Sequence, residues 1–183
     1  NNVSLSVGTG DVIGLVGANG AGKTTLFNAI SGLVQPTSGK IMFEGKDVLR
    51  APMYQRARMG IGRTFQIPQP MHELTVRENL MVAQRFGTGS INQARIDEIL
   101  DFTNLAGKAG RDASTGLALT ELKALEVAKA LATDPKLLLL DEVLAGLETS
   151  GKRNCMNMLK DLHAKFSVGI LIIEHDIETI SNL

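Results

Sequence analysis

The chain has 183 residues, 44% of them apolar, which is enough for one α/β domain with a sizeable core. Nineteen Lys and Arg balance nineteen Asp and Glu, so charge gives no reason to propose nucleic acid as a main partner. A single cysteine rules out an internal disulfide and suits a reducing compartment, and no run approaches the roughly 20 apolar residues of a membrane span or reads as a secretion signal.

Residues 3–7, Val-Ser-Leu-Ser-Val, alternate as a half-buried edge strand would. Residues 8–11 are a turn, leading into a short apolar strand over 12–16. Next come Gly17, Ala18, Asn19, Gly20, Ala21, Gly22, Lys23 and Thr24, which is a glycine, four free positions, then Gly-Lys-Thr. A helix follows from Gly22 to Ile30, with Leu26 and Ile30 on one face, and Ser31 and Gly32 stop it. Residues 40–43 and the turn at 44–46 predict a strand and its reversal. A short helix over 53–59 carries Arg56 and Arg58, and 60–65 return as a strand ending at Gln66.

Residues 67–70, Ile-Pro-Gln-Pro, form a stiff, extended link and mark a subdomain boundary. From 75 to 131 the pattern is mainly helical. Thr75 and Glu78 fit a capping box, with Leu80 and Ala83 continuing the apolar face. Ile96, Ile99 and Leu100 mark a helix over 92–104, and 107–116 read as a loop. Leu122, Leu125, Ala128 and Leu131 form the stripe of a helix over 121–132, closed by Asp134 and Pro135. Four leucines at 137–140 predict a strand buried on both faces, ending at Asp141 and Glu142. A helix over 149–166 puts Cys155 on one face with Leu159, Leu162 and Phe166, where it reads as a core residue. The last apolar strand runs to Glu174, followed by His175. Strands alternating with helices predict a mainly parallel sheet covered on both sides. The chain begins at Asn1 without methionine and ends inside a helical pattern, and is read as a segment of a longer protein.

Ligands of such sheets sit beyond the carboxyl ends of the strands. The glycine loop, Gln66, Asp141 with Glu142, and His175 all fall there. Glycines 17, 20 and 22 leave room for successive N–H groups to turn around phosphate oxygens, with the helix N-terminus behind them. Lys23 supplies a point charge for the outer phosphates, and the Thr24 hydroxyl can ligate Mg²⁺. Asp141 can hold Mg²⁺ opposite Thr24, and Glu142 can polarise the attacking water. Taken alone, the acidic pair also suits a solvated helix start. Gln66 can bridge a metal or a water, or simply end its strand. His175 can donate to a γ-phosphate oxygen. His72 and His163 read as surface residues, and no His or Cys spacing suits a transition metal.

In this combined order the motifs resemble the ATP-binding subunits of ABC transporters over the full length of the chain. Residues 17–24 look like Walker A, Gln66 the Q-loop, and 137–142 Walker B. His175 looks like the switch histidine, and Ala145, Gly146, Leu147 and Glu148 stand where the D-loop would be. Residues 63–66, 74–80, 132–136 and 145–147 are similar to the branched-chain amino-acid importer type. The resemblance implies a RecA-like P-loop core over 1–66 and 133–183, a small antiparallel β part near the N-terminus, and an inserted helical subdomain over 67–132. It implies ATP and Mg²⁺ as ligands, with Thr25 added to the nucleotide contacts. Gln66 joins Thr24 and Asp141 at the metal, and Glu142, His175 and Gln66 do the chemistry.

It also implies a second ATPase subunit facing the first, permease partners that insert a helix into a groove formed by residues 68–80, an indirect substrate-binding protein, and a place on the cytoplasmic face of the membrane. The family's Leu-Ser-Gly-Gly-Gln signature, which caps the partner's ATP, aligns with Leu117, Ala118, Leu119, Thr120 and Glu121 and has lost its serine and both glycines. Val143 stands in place of the usual proline. Two rival readings are a soluble ABC ATPase outside transport and a regulatory nucleotide-binding module with weak hydrolysis. The intact Lys23, Asp141, Glu142 and His175 oppose the second.

Overall fold

The computed structural model describes residues 3–174, His163 by its backbone alone. Among the described residues, four parallel strands form the central sheet in the order β1 (Val12–Leu15), β6 (Gly169–Ile173), β5 (Leu137–Asp141) and β4 (Ile61–Arg63). The apolar runs make the two middle strands, as full burial requires. Their side chains alternate between two cores. Leu138, Leu140, Ile170 and Ile172 face the larger core, while Leu139, Leu171 and Ile173 face a smaller one with Phe27 and Ile61.

Helix α1 (Lys23–Ser31) covers the smaller core through fully buried Phe27, with Ile30 partly buried beside it. The face is therefore centred on Phe27 rather than on Leu26. The larger core receives α3 (Val76–Thr88), α4 (Gln93–Phe102), α5 (Leu119–Ala132) and α6 (Thr149–Phe166). Thr75 caps α3 with the expected reciprocal bonds to Glu78. Cys155 is buried in this core, and burial pushes its thiol up to about 12, so it is an inert packing residue.

The strand expected over residues 3–7 does not form. Val3 and Leu5 are exposed, and no strand among the described residues pairs with that stretch. Alternation alone does not make a strand, since its backbone groups need a neighbour. The turn after it does form, with Asp11 accepting the Gly8 N–H at 2.7 Å. A separate hairpin joins β2 (Met42–Phe43) to β3 (Lys46–Asp47) around Glu44 and Gly45. The short helix α2 (Met53–Met59) lies between the hairpin and β4.

Arg56 of α2 is fully buried and caps the far end of α1. It donates to the carbonyls of Ala29 at 2.6 Å, Ile30 at 2.8 Å, Leu49 at 2.9 Å and Ala51 at 2.8 Å. Helix α5 begins at Leu119, two residues earlier than its apolar stripe indicates. There the Glu121 carboxylate takes up the Ala118 N–H at 2.9 Å and ion-pairs with Lys108. Parallel pairing brings the carboxyl ends of β1, β4, β5 and β6 to one edge, which places the candidate site.

Candidate nucleotide site

At the end of β1 the chain turns through residues 16–22 before α1 starts. Gly20 and Gly22 adopt left-handed backbone angles, φ 80° and 94°, and a Cβ at either would meet nothing within 4 Å. Their lack of a side chain therefore serves the backbone path and an open bay, not close packing. Gly22 is the N-cap of α1 and supplies no side-chain acceptor, so the first-turn N–H groups face that bay. Lys23 bends back over the loop, donating to the Gly17 carbonyl at 2.6 Å and the Ala18 carbonyl at 3.1 Å.

The bay is a cavity of about 200 Å³ lined by residues 19–25 and by Glu142. Thus Glu142, some 120 positions along the chain from the loop, comes to face it because β5 ends beside β1's neighbour β6. Gln66 meets the same carboxylate, its Nε2 donating to Glu142 Oε2 at 2.6 Å. The loop, Gln66 and Glu142 are therefore brought together. His175 lies outside the described residues. Leu117, Ala118, Leu119, Thr120 and Glu121 do not line this cavity. Leu117 precedes α5, Ala118 is its N-cap and the other three open it, with Leu119 exposed and its side chain near Gly146. Val143 is buried in the larger core, where a proline would otherwise stand.

Asp141 ends β5 almost fully buried. One carboxylate oxygen, Oδ2, pairs with Arg63 at 3.2 Å, and the other, Oδ1, has no hydrogen-bond partner among the described residues. Burial raises the Asp141 pKa and the neighbouring guanidinium counters it, while burial likewise lowers that of Arg63. A buried carboxylate oxygen left without a partner is a hard donor of the kind Mg²⁺ takes, and the Thr24 hydroxyl and the Gln66 amide oxygen are of the same chemical class.

Two buried cations escaped the sequence reading. Arg63 holds Ser31 Oγ at 2.9 Å as well as Asp141, with its guanidinium 5.0 Å from the Phe65 ring centre. Lys123 sits behind Gln66 and Glu142. A charged residue inside a short apolar strand was the available signal for Arg63. Nothing marked Lys123 among the other charges of its helix.

The family model described as ABC transporter matches residues 1–145, most of the chain, including the loop and Glu142. The chain belongs to the ABC transporter family. Among this ABC protein's relatives is a probable branched-chain amino acid transport ATP-binding protein, LivG, of Archaeoglobus fulgidus. It is 35% identical, over 98% of this chain and 75% of the relative. The high-affinity branched-chain amino acid transport ATP-binding protein BraF of Pseudomonas aeruginosa is 34% identical, over 100% of this chain and 78% of its own length. Solved ABC cassettes superpose on it closely. The ADP conformation of the cassette MJ1267 has a TM-score of 0.84 and 34% identity, covering 98% of this chain and 76% of that one. A nucleotide-free cassette gives 0.86 and 33%, covering 100% and 77%. The fold is the P-loop ATPase fold expected from the sequence, parallel sheet and small antiparallel part included.

Proposed function

We propose that the chain is the ATP-hydrolysing subunit of an ABC importer for branched-chain or other hydrophobic amino acids. The observation that carries the chemistry is the Glu142 carboxylate, facing the phosphate bay and held there by Gln66. The cargo reading is supported by relatives named for branched-chain amino acid transport.

In this reading the loop N–H groups of residues 17–22 and the uncapped start of α1 bind the β- and γ-phosphates. Lys23 exchanges its two carbonyl partners for phosphate oxygens. Thr24, Asp141 and Gln66 would hold Mg²⁺, which would supply charge neutralisation to the phosphates. Glu142 accepts a proton as water attacks the γ-phosphorus. The bond from that phosphorus to the bridging oxygen breaks, leaving ADP and inorganic phosphate. His175 donates to a γ-phosphate oxygen, and Thr25 adds a contact beside Thr24.

Two subunits sandwich the nucleotides, residues 117–121 of each capping the ATP of the other. The helical part over 67–132 turns on the link after Gln66. Residues 68–80 receive a helix of a membrane subunit, and Ile67, 71% exposed beside that stretch, supports this. The work is done at the cytoplasmic face of the membrane, with a substrate-binding protein acting through the permease. No helix among the described residues is long and apolar enough to cross a membrane, so in this reading the permease does the spanning.

Glu142→Gln tests the chemistry. ATP binding should persist while turnover falls by about 10²–10⁴-fold, the contribution of a general base. Hydrolysis by the variant at the wild-type rate would overturn the assignment.

A further inference from the structure

An ammonium group loses its water when buried, and proteins tolerate this only where it finds partners. Lys123 of α5 is 3% exposed. Its Nζ donates to the backbone carbonyl of Gln66 at 2.6 Å and to that of Glu142 at 3.1 Å. These are the two residues whose side chains meet at the edge of the phosphate bay. One ammonium therefore fixes both halves of that contact from behind.

The Glu142 backbone needs such support. Its φ is 49°, in the left-handed region, which strains a non-glycine residue unless its surroundings hold it there. Its N–H donates to the Ile173 carbonyl at 3.0 Å, and its carbonyl takes the Ala145 N–H at 3.1 Å besides Lys123. Of these three supports, only Lys123 comes from the helical part of the chain. The same face of α5 laces down the segment that follows Gln66. Glu126 accepts the Gln69 N–H at 2.8 Å, and Lys129 donates to the Gln69 carbonyl at 2.5 Å. Glu126 and Lys129 also pair with each other at 2.6 Å.

We propose that Lys123 is a positioning residue for ATP hydrolysis: reaching out of α5, its ammonium sets the backbone of Gln66 and Glu142 and so aims the Glu142 carboxylate into the phosphate bay. Lys123 lines no part of that bay and acts only through these two residues. Any displacement of α5 from the sheet moves the ammonium, and the aim of Glu142 with it. Orientation of the helical part is thereby read directly at the hydrolytic carboxylate. The consequence for turnover rests on the ATPase reading above; the strut itself does not.

Lys123→Met keeps the stem and removes the donors. Turnover at saturating Mg-ATP should fall roughly 10²-fold, as displaced catalytic geometry does, with ATP affinity unchanged. Lys123→Arg, which returns the donors, should recover most of that loss. Independently of hydrolysis, amide hydrogen exchange across 142–147 in the nucleotide-free protein should accelerate in Lys123→Met. Lys123→Gln gives the same readouts if the methionine variant does not accumulate. A lysine that only stabilises the fold would lower the unfolding midpoint and leave turnover per folded molecule intact, and that result overturns the proposal. Unchanged exchange over 142–147 overturns it as well. A wild-type chain that binds ATP without hydrolysing it would instead overturn the ATPase reading, with the exchange measurement still deciding on the strut.

Discussion

Replacing Arg56 by Met should be among the most damaging single changes outside the site. The guanidinium is wholly inaccessible and donates to four backbone carbonyls, two in the last turn of α1 and two in the loop before α2. Burial lowers its pKa, and the charge of Asp47 opposes that. Methionine fills most of the volume but donates nothing. The Ala29 carbonyl keeps a second partner in the Gly32 N–H, so the variant leaves the other three most exposed to loss. An unsatisfied buried carbonyl costs about 1–3 kcal/mol, and local relaxation recovers part of the total.

The expected loss is about 3–5 kcal/mol, a large share of the roughly 5–15 kcal/mol by which a domain is stable. With a urea slope of about 2 kcal/mol per molar, the unfolding midpoint should drop by about 2 M. Arg56→Lys retains a charge but not the fork, and should lose about half as much. Equilibrium urea unfolding followed by circular dichroism measures both. A midpoint shift below about 0.5 M for the methionine variant would mean that these carbonyls find other donors, and the account of the α1 terminus would be refuted.

Asp112 accepts from the backbone N–H and hydroxyl of both Ser114 and Thr115, and the Ser114 hydroxyl foremost holds its carboxyl down to about 2. A depressed folded-state pKa stabilises above the ordinary value of 3.8 and is lost as pH falls toward 2. Asp112→Asn should therefore flatten the acid limb of thermal stability between those two pH values, and an unaltered limb in a pH-resolved melting series would contradict the assignment. Gly62→Ala places a Cβ 2.9 Å from that of Pro135 and 3.3 Å from the Ala130 carbonyl, where β4 meets the end of α5. The overpacking should cost about 1–3 kcal/mol by urea titration, and a neutral result would show that the Pro135 turn yields freely.

The features legible from the residues were the local ones. The glycine loop is eight consecutive residues, and the strand before it and the helix after it both form as their local pattern indicates. The bounds of α6 and the burial of β5 and β6 followed from periodicity and from unbroken apolar runs. The capping box of α3 needed only residues 75 and 78. Even here one local reading failed, since residues 3–7 alternate and yet find no partner strand among the described residues.

The order β1-β6-β5-β4 was decided by packing between segments, and with it everything that depends on neighbours distant in sequence. Arg63 and Asp141 are 78 residues apart, Lys123 and Gln66 57, Arg56 and Ala29 27. Hydrogen bonds and burial act over a few ångströms in space, whereas spacing along the chain reports only on turns of a single helix or strand. The residue types at the site were thus set by sequence, and which of them face one another was set by the folded sheet.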